Sequence, residues 1–338
     1  MYLKLENIVD LSIESKTGKN IMTTYHLKSK SDNGGDSYCL DNIELLSNID
    51  FIKIFEEIST SAKIDIVTYS FYDDEFVKKL FRKKTNVRVL LSKVSKQSQH
   101  YADLIREIVP NSDVIKVEES HAKIVLAEPN FVYLGSQNID QSDWFQTGVV
   151  IRDQEIYKYY LKIVNDLAKG KLPYNYSHKS SDYVLQNLNK ISYTPFTPLY
   201  SSKTLHNVEV KFSKQLNWNQ KFNGLRNRKI IITTYTLPNM DYIRTMLTKL
   251  FKQQNDVTIY ANSIALPTLE KLRNEFPSLD FETRPNLHSK MILVEDNIVW
   301  ISSQNFGTST WFENTLNIKS NDAYCYFEAI LKDFLRRQ

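Results

Sequence analysis

Apolar positions along this chain recur with two periods, and segments of the two kinds alternate. Lys63–Ser70, KIDIVTYS, is a run rich in β-branched residues that predicts a strand, and Asp73–Lys84 has the spacing of a charged amphipathic helix. Asn86–Leu91 follows as a strand, Ser98–Ile108 as a helix and Asp113–Val117 as a short strand. His121–Ala127, Asn130–Leu134 and Thr147–Arg152 read as strands, and Asp153–Lys169 as a helix. The order then returns. Lys229–Thr236 predicts a strand, Asp241–Gln253 a helix, Asp256–Ala261 a strand, Leu266–Glu275 a helix and Leu279–Glu282 a strand, with Leu316–Lys319 and a closing helix over Asp322–Arg336. Strands alternating with helices of this length predict an α/β fold, and the repetition predicts that it is duplicated.

Outside the repeats the pattern is weaker. Met1–Ile13 alternates like a strand, Ser29–Ser37 reads as a loop, and Asp41–Ser59 has helical spacing through Ile43, Leu46, Ile49, Ile54 and Ile58. Gly170–Asn207, with Pro173, Pro195 and Pro198 among many Ser, Asn and Tyr, reads as a connector. The expected division is a first repeat over 1–172, a connector over 173–210 and a second repeat over 211–338.

The repeats are most alike where they carry chemistry. Glu118–Val149 and the stretch beginning at Pro285 align without a gap at an offset of 167 positions. His121 matches His288, Lys123 matches Lys290, Glu128 matches Glu295, Ser136 matches Ser303, Asn138 matches Asn305 and Trp144 matches Trp311. A strand puts residues i and i+2 on one face, so each His-x-Lys sets an imidazole beside an ammonium. Two such sets make a pocket that is cationic, rich in donors and equipped with two imidazoles, which suits a phosphodiester.

These motifs resemble the signature of the phospholipase D superfamily: His-x-Lys, four residues, Asp, six residues, Gly-Ser-x-Asn. The first copy reads His121-Ala122-Lys123, four residues, Glu128, six residues, Gly135-Ser136-Gln137-Asn138. The second reads His288-Ser289-Lys290, four residues, Glu295, six residues, Ser302-Ser303-Gln304-Asn305. Glu replaces Asp in both, and Ser302 replaces Gly in the second. The resemblance implies two repeats related by a pseudo-twofold axis, each a mixed sheet flanked by helices, with one active site between them. It implies phosphodiester chemistry through a phosphohistidine, with Lys123, Lys290, Asn138 and Asn305 holding the non-bridging oxygens and no metal or other cofactor needed. Glu128, Glu295, Ser136 and Ser303 then support the site.

Eight residues after each motif Asn stands Gln146 in the first copy and Glu313 in the second, the position that orients the histidine in this family. A carboxylate beside an imidazole favours its protonated form and an amide does not, so His288 is expected to be the acid and His121, more easily neutral, the nucleophile.

Composition narrows the partner. The net charge is +4 with a sequence pI near 8.7, a mild lean toward anions. Lys211–Lys229 holds six Lys or Arg and no acid, with Phe212, Trp218 and Phe222 interleaved. Lys211, Lys214, Lys221, Arg226 and Arg228 are therefore candidates for contacting nucleic acid, and a solvated loop over ordinary core aromatics is the alternative. Trp144, Trp311, Phe145 and Phe312 are expected as core beneath the site, with base stacking as the other reading. The first twenty residues lack a signal-peptide pattern and no apolar run is long enough to span a bilayer, so a cytoplasmic protein is expected. Cys39 and Cys325, the only cysteines, are expected as buried thiols. The expected function is a metal-independent nuclease acting on DNA, with phospholipid hydrolysis or phosphatidyl transfer as the alternative.

Overall fold

In the computed structural model the described residues are 29–30, 36–93, 95–118, 120–170, 200–213, 218–295, 297–309 and 311–337. The first half supplies strands β1 (Ser29–Lys30), β2 (Asp36–Ser47), β3 (Ile64–Thr68), β4 (Val87–Ser92), β5 (Asp113–Val117), β6 (Ile124–Ala127), β7 (Phe131–Gly135) and β8 (Thr147–Arg152). Its helices are α1 (Phe51–Glu57), α2 (Asp74–Phe81), α3 (Ser98–Ile108) and α4 (Gln154–Ala168). The second half supplies β9 (Ser201–Ser213), β10 (Lys229–Thr234), β11 (Asp256–Asn262), β12 (Asp280–Arg284), β13 (Met291–Val294), β14 (Ile298–Ser302) and β15 (Thr315–Lys319). With them come α5 (Trp218–Lys221), α6 (Met240–Lys252), α7 (Leu266–Glu275) and α8 (Asn321–Arg336).

All the strands join one mixed sheet in the order β12-β11-β10-β13-β14-β15-β9-β2-β8-β7-β6-β3-β4-β5, with β1 beside β2. From the centre outward the two halves run in the same order: β2-β8-β7-β6-β3-β4-β5 and β9-β15-β14-β13-β10-β11-β12. They are joined where β2 and β9 pair antiparallel, from Ser37 opposite Lys211 to Ser47 opposite Ser201. Within each half the leading strand, β3 or β10, lies parallel to one neighbour and antiparallel to the motif strand. These strands are apolar on both faces because helices cover both sides of the sheet.

One core runs across both halves on the face closed by α4 and α8, and Phe145 of the first half stacks on Phe334 of the second at 4.6 Å between centroids. On the other face α1–α3 and α5–α7 each cover a separate core. The shared core brings the duplicated loops together at the middle of the molecule.

Several elements differ from the sequence expectation. Asp41–Ser47 is strand rather than helix, and the helix begins only after Asp50, whose carboxylate accepts the Lys53 N–H at 3.2 Å. Ile43 and Leu45 enter the shared core while Leu46 enters the first-half core, so a central strand buried on both faces mimics helical spacing. The end of the expected connector, from Ser201, is strand β9, stabilised by its partners β2 and β15 rather than by its own polar sequence. Cys39 and Cys325 are both exposed, because the neighbouring Leu40 takes the inward position on β2 and Cys325 lies on the outer side of α8. Met1–Ile13 and most of the connector lie outside the described residues.

Candidate active site

Each His-x-Lys lies just before its motif strand, which begins at Ile124 or Met291 rather than at the histidine as expected for the first, and the opposite half holds it there. The His121 N–H donates to the Phe312 carbonyl at 2.9 Å, and the His288 and Ser289 N–H groups donate to the Phe145 carbonyl at 3.1 and 2.8 Å. Side chains reinforce these bridges: the Lys123 N–H donates to Asn314 Oδ1 at 2.8 Å, and the Thr147 and Ser289 hydroxyls bond at 2.8 Å. The loop after the Ser-x-Asn of one half therefore grips the His-x-Lys of the other.

This crossing overturns the expected pairing of Gln146 and Glu313. Glu313 faces His121, with Oε2 3.3 Å from Nδ1, and Gln146 Oε1 lies 3.0 Å from His288 Nδ1. A carboxylate and an amide oxygen only accept, so each contact favours the tautomer with its proton on Nδ1. The motif serines hold these acceptors: Ser136 Oγ donates to Gln146 Oε1 at 2.9 Å and Ser303 Oγ to Glu313 Oε2.

Lys123 and Lys290 are almost wholly buried, at 0% and 2% exposure. Lys123 Nζ donates to the His121 carbonyl, and Lys290 Nζ to the His288 carbonyl at 2.7 Å, with both ring nitrogens of His288 at 3.1 Å. Burial pushes Lys123 down to about 7 against the pull of Glu313 and Asp140, and pushes Lys290 well below its usual range with help from Lys123. Burial, then Lys123, lowers His121 despite Glu313, and burial, then Lys290 and Lys123, lowers His288 further. Burial alone would raise Glu313, but His121, Lys123 and Ser303 together hold it below the usual carboxylate range. His121 also senses Lys290, and His288 senses Lys123 and His121, so the two sets share one electrostatic site. The site is basic and low in dielectric, and an anion placed in it supplies the missing counter-charge. Among the described residues no group of three or more His, Cys, Asp or Glu is arranged to hold a metal.

The remaining expected residues divide. Asn305 Oδ1 accepts from the Tyr235 and Thr236 N–H groups at 3.2 and 3.3 Å, which aims its amide N–H₂ away from that strand end. Asn138 Oδ1 is buried without a partner. Glu128 and Glu295 are exposed at the far ends of the motif strands, where their N–H groups bond the carbonyls of Lys63 and Lys229, consistent with a buttress. Phe145 and Phe312 are core, at 0% and 2% exposure, but Trp144 and Trp311 are only partly buried and lie against the histidines.

The basic stretch does not form an aromatic and cationic surface. Phe212, Trp218 and Phe222 are buried, Lys211 pairs with Glu209 at 3.5 Å, and Lys214 lies outside the described residues. Lys221 is partly buried, and Arg226 and Arg228 precede β10 at the end of that strand opposite to Tyr235. A six-residue strand is about 20 Å long, so these arginines stand away from the paired histidines.

Sequence reasoning missed three contributors. Tyr69 and Tyr235, which end β3 and β10 in matching positions, pack on His121 and His288 at 6.0 and 4.9 Å. Asp140, matched by Gly307 in the other repeat, has Oδ1 buried without a partner; burial pushes its carboxyl up to about 7 against the pull of Lys123. The mismatch between Asp140 and Gly307 was the available signal.

The one break in the Gly-Ser-x-Asn motif also has a cause. A Cβ on Gly135 would meet the Tyr133 hydroxyl and lie 2.8 Å from the Thr147 carbonyl oxygen. At the matching position Ser302 fits, its hydroxyl 2.6 Å from Thr315 Oγ1. Gly135→Ala should therefore cost about 1–3 kcal/mol by overpacking, and adding Tyr133→Phe should recover part of it, both read by urea denaturation.

Residues 54–168 match the family model described as cardiolipin synthase, PLD-like domain. No curated protein sequence matches the chain. Among solved structures, phosphatidylserine synthase from Haemophilus influenzae Rd KW20 superposes with a TM-score of 0.61 at 15% identity, over 90% of this chain and 88% of that one. Polyphosphate kinase from Porphyromonas gingivalis superposes at 0.56 and 11% identity, over 86% of this chain and 50% of its own, so this chain spans half the length of that enzyme. At these identities the likeness establishes the fold.

Proposed function

We propose that this chain is a member of the phospholipase D superfamily and a metal-independent phosphodiesterase that cleaves nucleic acid, DNA in the first instance, through a phosphohistidine. The observation that carries the chemistry is the crossed wiring of two His-x-Lys sets with buried lysines, each histidine oriented by the opposite half. Neither half alone has a nucleophile and an acid; together they have both.

In the first step His121 Nε2 attacks phosphorus, the bond from phosphorus to the leaving oxygen breaks, and His288 gives that oxygen its proton. In the second, His288 takes a proton from water, the water oxygen bonds to phosphorus, and the P–N bond breaks. Attack turns the His121 imidazole into a phosphoimidazolium cation, so a carboxylate on Nδ1 stabilises the charge as it develops. Glu313 therefore favours His121 as nucleophile by acting on the transition state, whereas the sequence expectation had it protonate His288 and leave His121 the more easily neutral ring. Gln146, an amide, orients His288 without holding its proton as tightly, which suits an acid. The diester's own negative charge makes the His288 imidazolium accessible. Lys123, Lys290 and the amides of Asn138 and Asn305 take the non-bridging oxygens, the task a metal performs in other nucleases.

Nucleic acid is supported by the net charge of +4 and by the aromatic rings around the histidines. A second reading, phospholipid head-group hydrolysis or transfer, is favoured by the likeness to a phosphatidylserine synthase. A fluorescent oligonucleotide and phosphatidylcholine vesicles, each incubated with the protein in EDTA, separate them. Cleavage of the oligonucleotide at an undiminished rate in EDTA is expected; loss of activity in EDTA would refute the metal-free mechanism, and vesicle hydrolysis alone would refute the substrate.

A further inference from the structure

Four aromatic side chains converge on the two histidines, and each belongs to a different segment. Tyr69 ends β3 and Trp311 follows β14; their rings are nearly parallel, 9° apart at 6.0 Å, and each lies 6.0 Å from the His121 ring. Tyr235 ends β10 and Trp144 follows β7; these two are 5.8 Å apart and tilted by 32°, at 4.9 and 5.6 Å from His288. Each wall thus pairs a tyrosine of one half with a tryptophan of the other. All four rings are partly exposed, unlike the adjacent Phe145 and Phe312.

A phosphodiester of nucleic acid has the same layout, one phosphate with a nucleoside on each side. The lysines of the site, Lys123 and Lys290, are buried beside the histidines, and the basic stretch lies elsewhere. What flanks the phosphate is π surface. Base stacking on such a ring contributes about 1–3 kcal/mol per base and is indifferent to which base it is. A paired base is already stacked, and offering its face requires it to leave the duplex.

Resting on the nucleic-acid reading above, we propose that Tyr69 with Trp311 and Tyr235 with Trp144 are base-stacking walls on the two sides of the scissile phosphate, making unpaired nucleotides the substrate. Specificity then comes from bases being free, with little dependence on their identity.

The test uses the full chain and three 5′-labelled oligonucleotides of one sequence: single-stranded, annealed to its complement, and single-stranded with abasic tetrahydrofuran residues on both sides of a linkage that is otherwise cut. The single strand should be cleaved with a kcat/KM about 10–100-fold above the duplex, and that linkage about 10–100-fold faster with its bases than without. Trp144→Leu and Trp311→Leu should bring the ratio of intact to abasic cleavage toward one, whatever their absolute rates. Equal cleavage with and without bases, or a duplex cut as fast as a single strand, overturns the proposal while leaving the phosphodiesterase standing. If no oligonucleotide is cut but phosphatidylcholine vesicles are, the nucleic-acid reading itself falls, and the walls are assigned to a lipid head group. Should a tryptophan variant fail to fold, the wild-type ratio of intact to abasic cleavage decides alone.

Discussion

His121→Asn should lower kcat by about 10⁴-fold or more, and no phosphorylated protein should be recovered from it with labelled substrate. Asparagine keeps a polar group of similar reach but has no lone pair able to form a P–N bond, so the first step is lost. His288→Asn should also be slow, for a different reason: the first step lacks its acid and the second lacks its base. With a substrate whose leaving group needs no proton, such as a p-nitrophenyl ester, that variant should release nitrophenol in a burst and accumulate label as an acid-labile phosphohistidine. Glu313→Gln should cost about 10²–10³-fold, since it removes the counter-charge of the phosphoimidazolium but leaves the ring oriented. Label accumulating in His121→Asn rather than in His288→Asn would exchange the two roles.

Lys123→Met should lower kcat about 10²–10³-fold and at the same time make the resting protein more stable, by about 1–4 kcal/mol. The lysine is 0% exposed, and methionine is close to it in length and bears no charge. Burial holds the folded Lys123 at about 7 against an ordinary value of 10.5. Between those pH values the unfolded chain binds a proton that the folded protein does not, so stability rises as pH climbs from about 7 to about 10.5. Below pH 7 the slope from this group vanishes, because both states are protonated. The wild type should therefore gain stability across that window, and Lys123→Met should flatten the gain, as read by urea denaturation at pH 6.5, 8 and 9.5. If Lys123→Met is less stable than wild type at every pH, the buried ammonium is a structural tie and not a strained catalytic group.

Much of this site was legible in one dimension because the gene says the same thing twice. A lone His-x-Lys carries little information, but His121 with Lys123 and His288 with Lys290, at equal distances from Ser136 with Asn138 and Ser303 with Asn305, specify the chemical class, and the alternating periods specify the fold. Local pattern suffices there because the strand and helix periods, and the polarity needed on each face, are set by neighbours a few residues away. It fails where burial comes from distant partners. Asp41–Ser47 reads as helix until β8 and β9 flank it, and Ser201–Ser213 reads as linker until β2 gives it a ladder.

The same limit applies to the chemistry. The residues Gln146 and Glu313 were visible as a pair, but which histidine each serves depends on the bridges from Ser120 to Phe312 and from Phe145 to Leu287, contacts across more than 140 positions of chain. Trp144 and Phe145 are adjacent in sequence and equally aromatic, yet one enters the core and the other faces the site. The chain's repeated motifs alone determined that two basic, imidazole-bearing sets exist. Only the packing of the halves against their shared core decided that the sets meet, that their partners cross over, and that aromatic rings rather than a basic strip lie against the histidines, because hydrogen-bond direction and burial are properties of a folded neighbourhood and not of a residue's place in line.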